Sequence, residues 1–208
     1  MAEFGTLLKF GHYEHILQLQ DEGLLYLNNL PYFWEIEDEE LRGDPFDGVA
    51  EVARGHKVVL PIPNGKELTL EGSWTIRMHP FEPEKINIFC MYALRPFSGT
   101  FPVDERNFRF GDYAIVITNR PEFMNRIASS LKAQGVKGEA RLVEYVNDDH
   151  IGKMGPFRKL KRFIYQSEWR LVCYGGSGEA RKIRLGSIRD ISTIIRSDKV
   201  NKEIKIES

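Results

Sequence analysis

The sequence has few of the features that mark membrane, secreted or metal-binding proteins. Its longest apolar runs, such as Val58–Ile62 and Ile86–Leu94, are too short to cross a bilayer. The N-terminus lacks the basic segment and the long apolar stretch of a signal peptide. Only two cysteines occur, Cys90 and Cys173, and each lies in an apolar stretch, which favours buried free thiols over a disulfide or a zinc pair. These absences predict a soluble cytoplasmic protein with no membrane contact and no metal site.

Several common catalytic signatures are also missing. Nothing matches the phosphate-binding loops G-x-x-x-x-G-K-[ST] and G-x-G-x-x-G, or the nucleophile elbow G-x-S-x-G. His12 and His15 lie three positions apart, but no acidic or histidine partner follows at helical spacing. We therefore interpret them as a solvent-facing pair and not as half of a metal site.

What the sequence does contain is typical of one globular domain. The chain has 208 residues, of which 42% are hydrophobic and 28% charged, and this is enough to bury a full core. The net charge of −1 conceals an acidic stretch, Glu35–Asp47, and a basic stretch, Lys153–Arg170. Basic stretches attract phosphate, although a solvated loop is the alternative interpretation. The candidate nucleic-acid contacts in this stretch are Arg158, Lys159, Lys161 and Arg162.

Hydrophobic periodicity predicts two helices and about ten strands. The helices are Tyr13–Glu22, ended by Gly23, and Pro121–Gln134. The turn signal Pro63-Asn64-Gly65 predicts a hairpin between Lys57–Ile62 and Glu67–Glu71. This pattern is not that of a doubly wound sheet, and it predicts an α+β fold of two packed, mostly antiparallel β-sheets with a few flanking helices. The other predicted strands are Leu7–Phe10, Leu24–Leu27, Ser73–Met78, Lys85–Leu94, Tyr113–Thr118, Ala140–Val146, Phe163–Tyr174, Lys182–Leu185 and Ile191–Arg196.

The most informative segment is the predicted strand Phe163–Tyr174. Side chains alternate along a strand, so Gln166, Glu168 and Arg170 should project side by side from one face. Polar groups in an apolar strand need partners, because burying them unpaired is costly. Two interpretations remain open: a Glu168–Arg170 ion pair on a solvated sheet face, or a substrate site.

A series of short motifs runs through most of the chain in a recognisable order. They are Lys9-Phe10 at the end of the first strand, the G-D-P-F-D motif at 43–47, a strand ending in a cysteine at 86–90, the strand 112–117, V-x-Y at 143–145, and Y-Q-S-E-W-R at 165–170 after a lysine-rich lead. In this order they resemble a bacterial and phage family of unknown function that is itself similar to the ADP-ribosyltransferase fold.

The resemblance implies one ADP-ribosyltransferase-like domain over residues 1–208, with NAD as the donor of ADP-ribose. Glu168 would hold the nicotinamide ribose, and Gln166, two positions earlier, would face the acceptor. Cleavage of the N-glycosidic bond of NAD passes through an oxocarbenium-like species, which a carboxylate stabilises without a metal.

The resemblance also implies a set of NAD-binding residues. Lys9, next to Phe10, takes the first-strand position that is more often histidine and would hold a ribose or the phosphates. Arg170 would hold the pyrophosphate. One of two tyrosines, Tyr26 or Tyr32, would stack on nicotinamide. Asp44 of the G-D-P-F-D motif completes the predicted site.

Other functions remain open from the sequence. A metal-dependent nuclease would hold Mg²⁺ on Asp44 and Asp47 and phosphate on Lys153–Arg162. A non-catalytic nucleic-acid-binding or interaction protein is a second alternative. The segment Asp44–Asp47 also has a purely structural interpretation, in which it forms a turn and Asp47 caps a helix that begins at Val49–Ala53. For the transferase, the acceptor is a nucleic acid or a protein, and the family suggests a toxin or phage-defence effector with an antitoxin or regulator as partner.

Overall fold

The structure is a computed structural model that describes residues 5–35, 44–95 and 100–205. Most of the predicted acidic stretch, and Gly43 of the G-D-P-F-D motif, lie outside the described residues. Among the described residues there are thirteen strands and four α-helices. The strands are β1 (Thr6–Gly11), β2 (Leu24–Asn29), β3 (Glu51–Ile62), β4 (Lys66–Met78), β5 (Asn87–Leu94), β6 (Tyr113–Ile117), β7 (Gly138–Leu142), β8 (Glu144–Val146), β9 (Gly152–Lys153), β10 (Arg158–Leu160), β11 (Glu168–Cys173), β12 (Arg181–Arg184) and β13 (Ser192–Arg196). The helices are α1 (Tyr13–Glu22), α2 (Leu30–Glu35), α3 (Arg120–Ala133) and α4 (Val200–Glu203).

The main sheet has eight strands and divides at β5. One edge of β5 pairs with β11 over six residue pairs. The opposite edge pairs with β2 near the start of β5 and with β1 near its end. From there β12 extends the β2 arm, β6 and β13 extend the β1 arm, and β7 flanks β11. The predicted α+β class with mostly antiparallel strands is confirmed. In place of two packed sheets, the described strands form this forked eight-stranded sheet, a three-stranded sheet of β4, β3 and β9, and a parallel pair of β8 and β10.

The core covers both faces of this sheet. Helices α1 and α3 bury Ile16, Leu19, Phe123 and Ile127 against one face, together with alternate residues of the central strands. A second cluster around Phe10 covers the other face. Both predicted helices are confirmed: α1 ends at a left-handed Gly23 (φ 61°), and the Asn119 side chain caps α3 by accepting from the backbone N–H of Glu122.

The β3–β4 hairpin is confirmed and is longer than predicted. In its distal half, directly opposite residues project from the same face of the hairpin, so the two strands together form one aliphatic face. This aliphatic face of the hairpin carries Val58, Leu60, Ile62, Leu68 and Leu70.

Among the described residues, no helix is both long enough and apolar enough to cross a membrane.

Two sequence predictions are wrong at local turns. The predicted strand Phe163–Tyr174 is a 3₁₀ helix over Lys161–Gln166 followed by β11, with the chain turning at Ser167 in the left-handed region (φ 40°). No helix begins at Val49, because Gly48 turns the chain (φ 65°) and β3 starts at Glu51.

Candidate active site

A cavity of about 700 Å³ opens where β1 and β2 separate beside β5. The pairing of β5 with β2 reaches Ile88, and its pairing with β1 begins at Tyr92. The residues between them, Phe89, Cys90 and Met91, line the cavity. Cavities of this size are typical of sites for nucleotides and other small ligands.

Four buried charged side chains form one connected cluster at this cavity, all of them among its lining residues. The Glu168 carboxylate accepts from Lys159 Nζ and from Arg170 Nε, each at 2.7 Å. The Arg170 guanidinium also donates to both oxygens of Asp47, at 2.6 and 2.8 Å. Lys159 Nζ lies 3.6 Å from Asp47. Asp47, Lys159, Glu168 and Arg170 are hereafter called the charge cluster.

The charge cluster balances two carboxylates with two cations. Burial opposes ionisation of Glu168, but Arg170 and Lys159 outweigh it and hold the pKa of this carboxyl well below its usual range. Burial likewise disfavours the charged form of Lys159, yet Glu168 and Asp47 raise its pKa. The cluster therefore presents a carboxylate to the cavity that is ionised at neutral pH.

The turn at Ser167 brings Gln166 and Glu168 together. Gln166 ends the 3₁₀ helix and Glu168 begins β11, and both accept from the same atom, Lys159 Nζ, at 2.6 and 2.7 Å. The Ser167 hydroxyl donates to the carbonyl of Ala93 at 2.7 Å and fixes the turn. The predicted convergence of Gln166 and Glu168 is therefore present, although it arises from a turn and not from strand alternation.

The four other predicted NAD-binding residues at the cavity differ in exposure. Lys9 Nζ donates to the Cys90 carbonyl at 2.8 Å and links β1 to β5 just beyond their last residue pair, Leu8–Tyr92. Tyr26 and Tyr32 are 49% and 42% exposed, so both rings are accessible for stacking. Phe10 borders the cavity, but its ring is buried against the neighbouring aromatic cluster.

Asp44, the remaining predicted NAD-binding residue, is not among the residues that line the cavity. Its carboxyl is completely buried, with one oxygen accepting from the backbone N–H of Phe46 and the other without a hydrogen-bond partner among the described residues. Burial, and then the negative charge of Asp47, raise the pKa of Asp44 to about 6. Asp44 therefore carries a proton in mildly acidic solution, at a pH where most carboxyl groups are ionised.

This shifted pKa predicts a pH-dependent effect of Asp44→Asn. The unfolded chain ionises Asp44 above its ordinary value of 3.8, whereas the folded protein keeps it protonated up to about 6. Between these two pKa values the free energy of unfolding falls as the pH rises. Above pH 6 the ionised carboxyl makes the folded protein less stable by about 3 kcal/mol. The variant should match the wild type near pH 4 and be more stable by up to that amount near pH 7.5. Urea denaturation at both pH values measures this.

A matched control for this prediction is Asp149→Asn, since Asp149 is exposed. Its free energy of unfolding should differ from that of the wild type by less than about 0.5 kcal/mol at either pH. A stability gain of Asp44→Asn that is equal at pH 4 and pH 7.5 would contradict the raised pKa.

The four predicted nucleic-acid contacts do not form one basic surface. Lys159 is only 4% exposed and belongs to the charge cluster, so its placement on a solvated basic surface is wrong. Arg158 is paired with Glu144 at 2.8 Å. Lys161 and Arg162 are exposed at the start of the 3₁₀ helix, about 10 Å along its axis from Gln166.

The nuclease alternative also meets a geometric obstacle. Both oxygens of Asp47 are bonded to the Arg170 guanidinium, and Lys159 Nζ lies 3.6 Å away, so two positive charges beside this carboxylate oppose the binding of a divalent cation. Within residues 5–35, 44–95 and 100–205, no group of three or more His, Cys, Asp or Glu side chains is arranged to hold a metal.

Two cations of the cavity, Lys182 and Arg184 on β12, are not among the site residues that the sequence predicts. The sequence signal for them is the alternation Lys182-Ile183-Arg184, in which a buried isoleucine separates two exposed cations.

Comparison with protein-family models, with curated proteins and with solved structures gave no match. The functional interpretation accordingly depends on the site itself.

Proposed function

We propose that this protein transfers ADP-ribose from NAD to a nucleic-acid or protein acceptor, with Glu168 as the central catalytic residue. The observation that supports this most is the ionised Glu168 carboxylate, held by two cations at the wall of a cavity of about 700 Å³. That volume lies in the range of small-molecule and cofactor sites.

In the proposed reaction the bond between the nicotinamide nitrogen and the ribose carbon breaks first. Nicotinamide leaves as a neutral molecule with the bonding electron pair, and the ribose becomes oxocarbenium-like. A nucleophilic atom of the acceptor then bonds to the ribose carbon and loses its proton to solvent. A carboxylate beside the ribose stabilises the positive charge that develops in this transition state.

The existing hydrogen bonds of Glu168 are compatible with this role. A carboxylate has about four acceptor positions, and the two bonds from Lys159 and Arg170 use two of them. A ribose hydroxyl can therefore donate to a remaining position. The two cations hold the carboxylate in one orientation, so it does not reorganise as charge develops.

Aromatic rings and cations elsewhere in the cavity also fit a dinucleotide. Tyr26 and Tyr32 offer exposed rings for stacking. Lys9 is positioned on β1 next to the gap in the sheet, where a positive charge attracts a ribose or phosphate oxygen. Lys161 and Arg162, exposed at the start of the helix that ends at Gln166, can attract an acidic or nucleic-acid acceptor.

A second candidate function is nucleotide binding without turnover. It is favoured by the burial of Glu168, which is only 8% exposed and has a bond to each carboxylate oxygen. Such a protein would bind NAD in the same cavity and release it intact.

The first test is stabilisation by NAD. At about 100 times its Kd, NAD should raise the free energy of unfolding by about 2.7 kcal/mol, because it binds only the folded protein. For a chain of this length that moves Tm by about 5–10 °C, measured by differential scanning fluorimetry without added metal. A flat Tm at millimolar NAD combined with stabilisation by Mg²⁺ would favour the nuclease.

The acceptor is tested separately with NAD labelled in its adenylate group and a cell extract. Label in the nucleic-acid or protein fraction, sensitive to nuclease or protease respectively, identifies the acceptor class. Label only in free ADP-ribose indicates hydrolysis, and intact NAD after binding indicates the second candidate function.

A further inference from the structure

The cavity carries more positive than negative charge. Five of its lining side chains are lysine or arginine and only two are carboxylates. The charge cluster pairs both carboxylates with two of the cations, and the other three lining cations are Lys9, Lys182 and Arg184. Two of these three, Lys182 and Arg184, come from β12. A cavity with this excess is suited to an anionic ligand.

The pairing of β12 with β2 places these two cations on the cavity side. Ile183 is opposite Leu25, and both are completely buried in the core. Because side chains alternate along a strand, Lys182 and Arg184 lie on the other face. Lys182 is directly opposite Tyr26, and its Nζ lies 5.7 Å from the centre of the tyrosine ring.

The charges of these two residues are only partly used within the protein. Arg184 Nε lies 3.3 Å from Glu22, and both side chains are largely exposed, so solvent screens this pair. No ion pair joins Lys182 to a carboxylate in the part of the chain that the structure describes. Lys182 thus offers a charge at the cavity that an incoming anion can neutralise.

The residue types and their spacing indicate a nucleoside diphosphate. Residues two apart on a strand are about 6.5 Å apart, so their long side chains can converge on two neighbouring phosphates. Lysine contributes a point charge and arginine a planar fork for phosphate oxygens. The exposed Tyr26 ring beside them can stack on a base.

We infer that the β2–β12 edge is the subsite for a nucleoside diphosphate, in which Lys182 and Arg184 hold the phosphates and Tyr26 stacks on the base. This deepens the proposed function, since the ADP half of NAD would occupy this edge while the ribose next to nicotinamide lies at Glu168. It also applies to ADP or another nucleoside diphosphate that is not NAD.

The inference is tested by isothermal titration with ADP, NAD and adenosine as probes. Lys182→Gln and Arg184→Gln should each weaken ADP binding about tenfold, as expected for losing a charged hydrogen bond to phosphate. Adenosine, which has no phosphate, should bind both variants and the wild type equally. Tyr26→Leu should weaken adenosine and ADP alike. The matched control is Lys66→Gln, an exposed lysine in the hairpin that does not line the cavity and should leave all Kd values unchanged.

The possible results separate this inference from the proposed function. ADP binding that depends on Lys182 but is accompanied by intact NAD supports the subsite and rejects the transferase. ADP binding that is the same in the wild type and in both β12 variants overturns the subsite, whether or not NAD is consumed. Failure of the wild type to bind any of the probes at millimolar concentration also overturns it.

Discussion

Arg170→Met should lower the free energy of unfolding by about 3–5 kcal/mol, because it removes one partner of a buried ion-pair network. Arg170 is 1% exposed and bonds to Asp47, Glu168 and the carbonyl of Pro156. Without it, two buried carboxylates share Lys159 as their remaining cation in the charge cluster. Urea denaturation measures the loss. The matched control is Arg189→Met, since Arg189 forms an exposed pair with Asp21 that is worth at most about 1 kcal/mol.

A double variant distinguishes an ion-pair effect from simple loss of packing. Adding Asp47→Leu to Arg170→Met removes a carboxylate together with its guanidinium and leaves the balanced pair Lys159–Glu168. Buried pairs replaced on both sides by apolar residues are often no less stable than the original. The double variant should therefore lose less stability than the sum of the two single variants. Strictly additive losses would show that the cluster is not energetically coupled.

Where local signals are strong, the sequence predicts the fold well. Gly23 is needed after α1 because the chain there enters the left-handed region, which glycine adopts without a steric penalty. Asn64 and Gly65 have φ values of 78° and 70°, which are typical of a tight hairpin turn. Both elements follow from residues within a few positions of each other, so the sequence predicts them both.

The buried position of Lys159 could not be predicted from its neighbours. It lies in a run of cations that resembles a solvated loop, and its partners Asp47 and Glu168 are brought to it by the fold. In the described structure Asp47 is also bonded to Arg170, across 123 positions of sequence. A basic run alone cannot show which of its cations is buried, because that depends on distant carboxylates.

The turn at Ser167 is a second feature that the sequence does not predict. A non-glycine residue seldom adopts positive φ, so the sequence predicts one strand over Phe163–Tyr174. Gln166 and Glu168 nevertheless lie close together, as the sequence predicts, because both side chains accept from Lys159 Nζ on either side of the turn. The cations of β12 were missed because the sequence does not show which strand pairs with β2.

Glu168→Gln should reduce ADP-ribose transfer by about 10²–10³-fold or more, because it removes the charge that stabilises the oxocarbenium-like transition state. The amide keeps the shape of the side chain, so the Kd of NAD should change by only a few-fold. The substitution also leaves Asp47 as the one carboxylate for Lys159 and Arg170, and the free energy of unfolding should fall. Single-turnover rates with labelled NAD, measured well below the Tm of the variant, give the effect on the chemical step.

The double variant Lys159→Gln, Glu168→Gln separates the catalytic role of Glu168 from its structural role. It removes one cation with one carboxylate and leaves the pair Asp47–Arg170, whose hydrogen bonds of 2.6 and 2.8 Å do not involve either substituted residue. Its free energy of unfolding should recover toward the wild type while transfer stays lost, since the carboxylate proposed to face the ribose is gone and Asp47 stays bonded to Arg170. If transfer returns together with stability, Glu168 is a structural ion-pair residue, and the catalytic group lies elsewhere in the cavity. If transfer remains absent in a stable double variant that still binds NAD, the loss is chemical, because neither unfolding nor failed binding accounts for it.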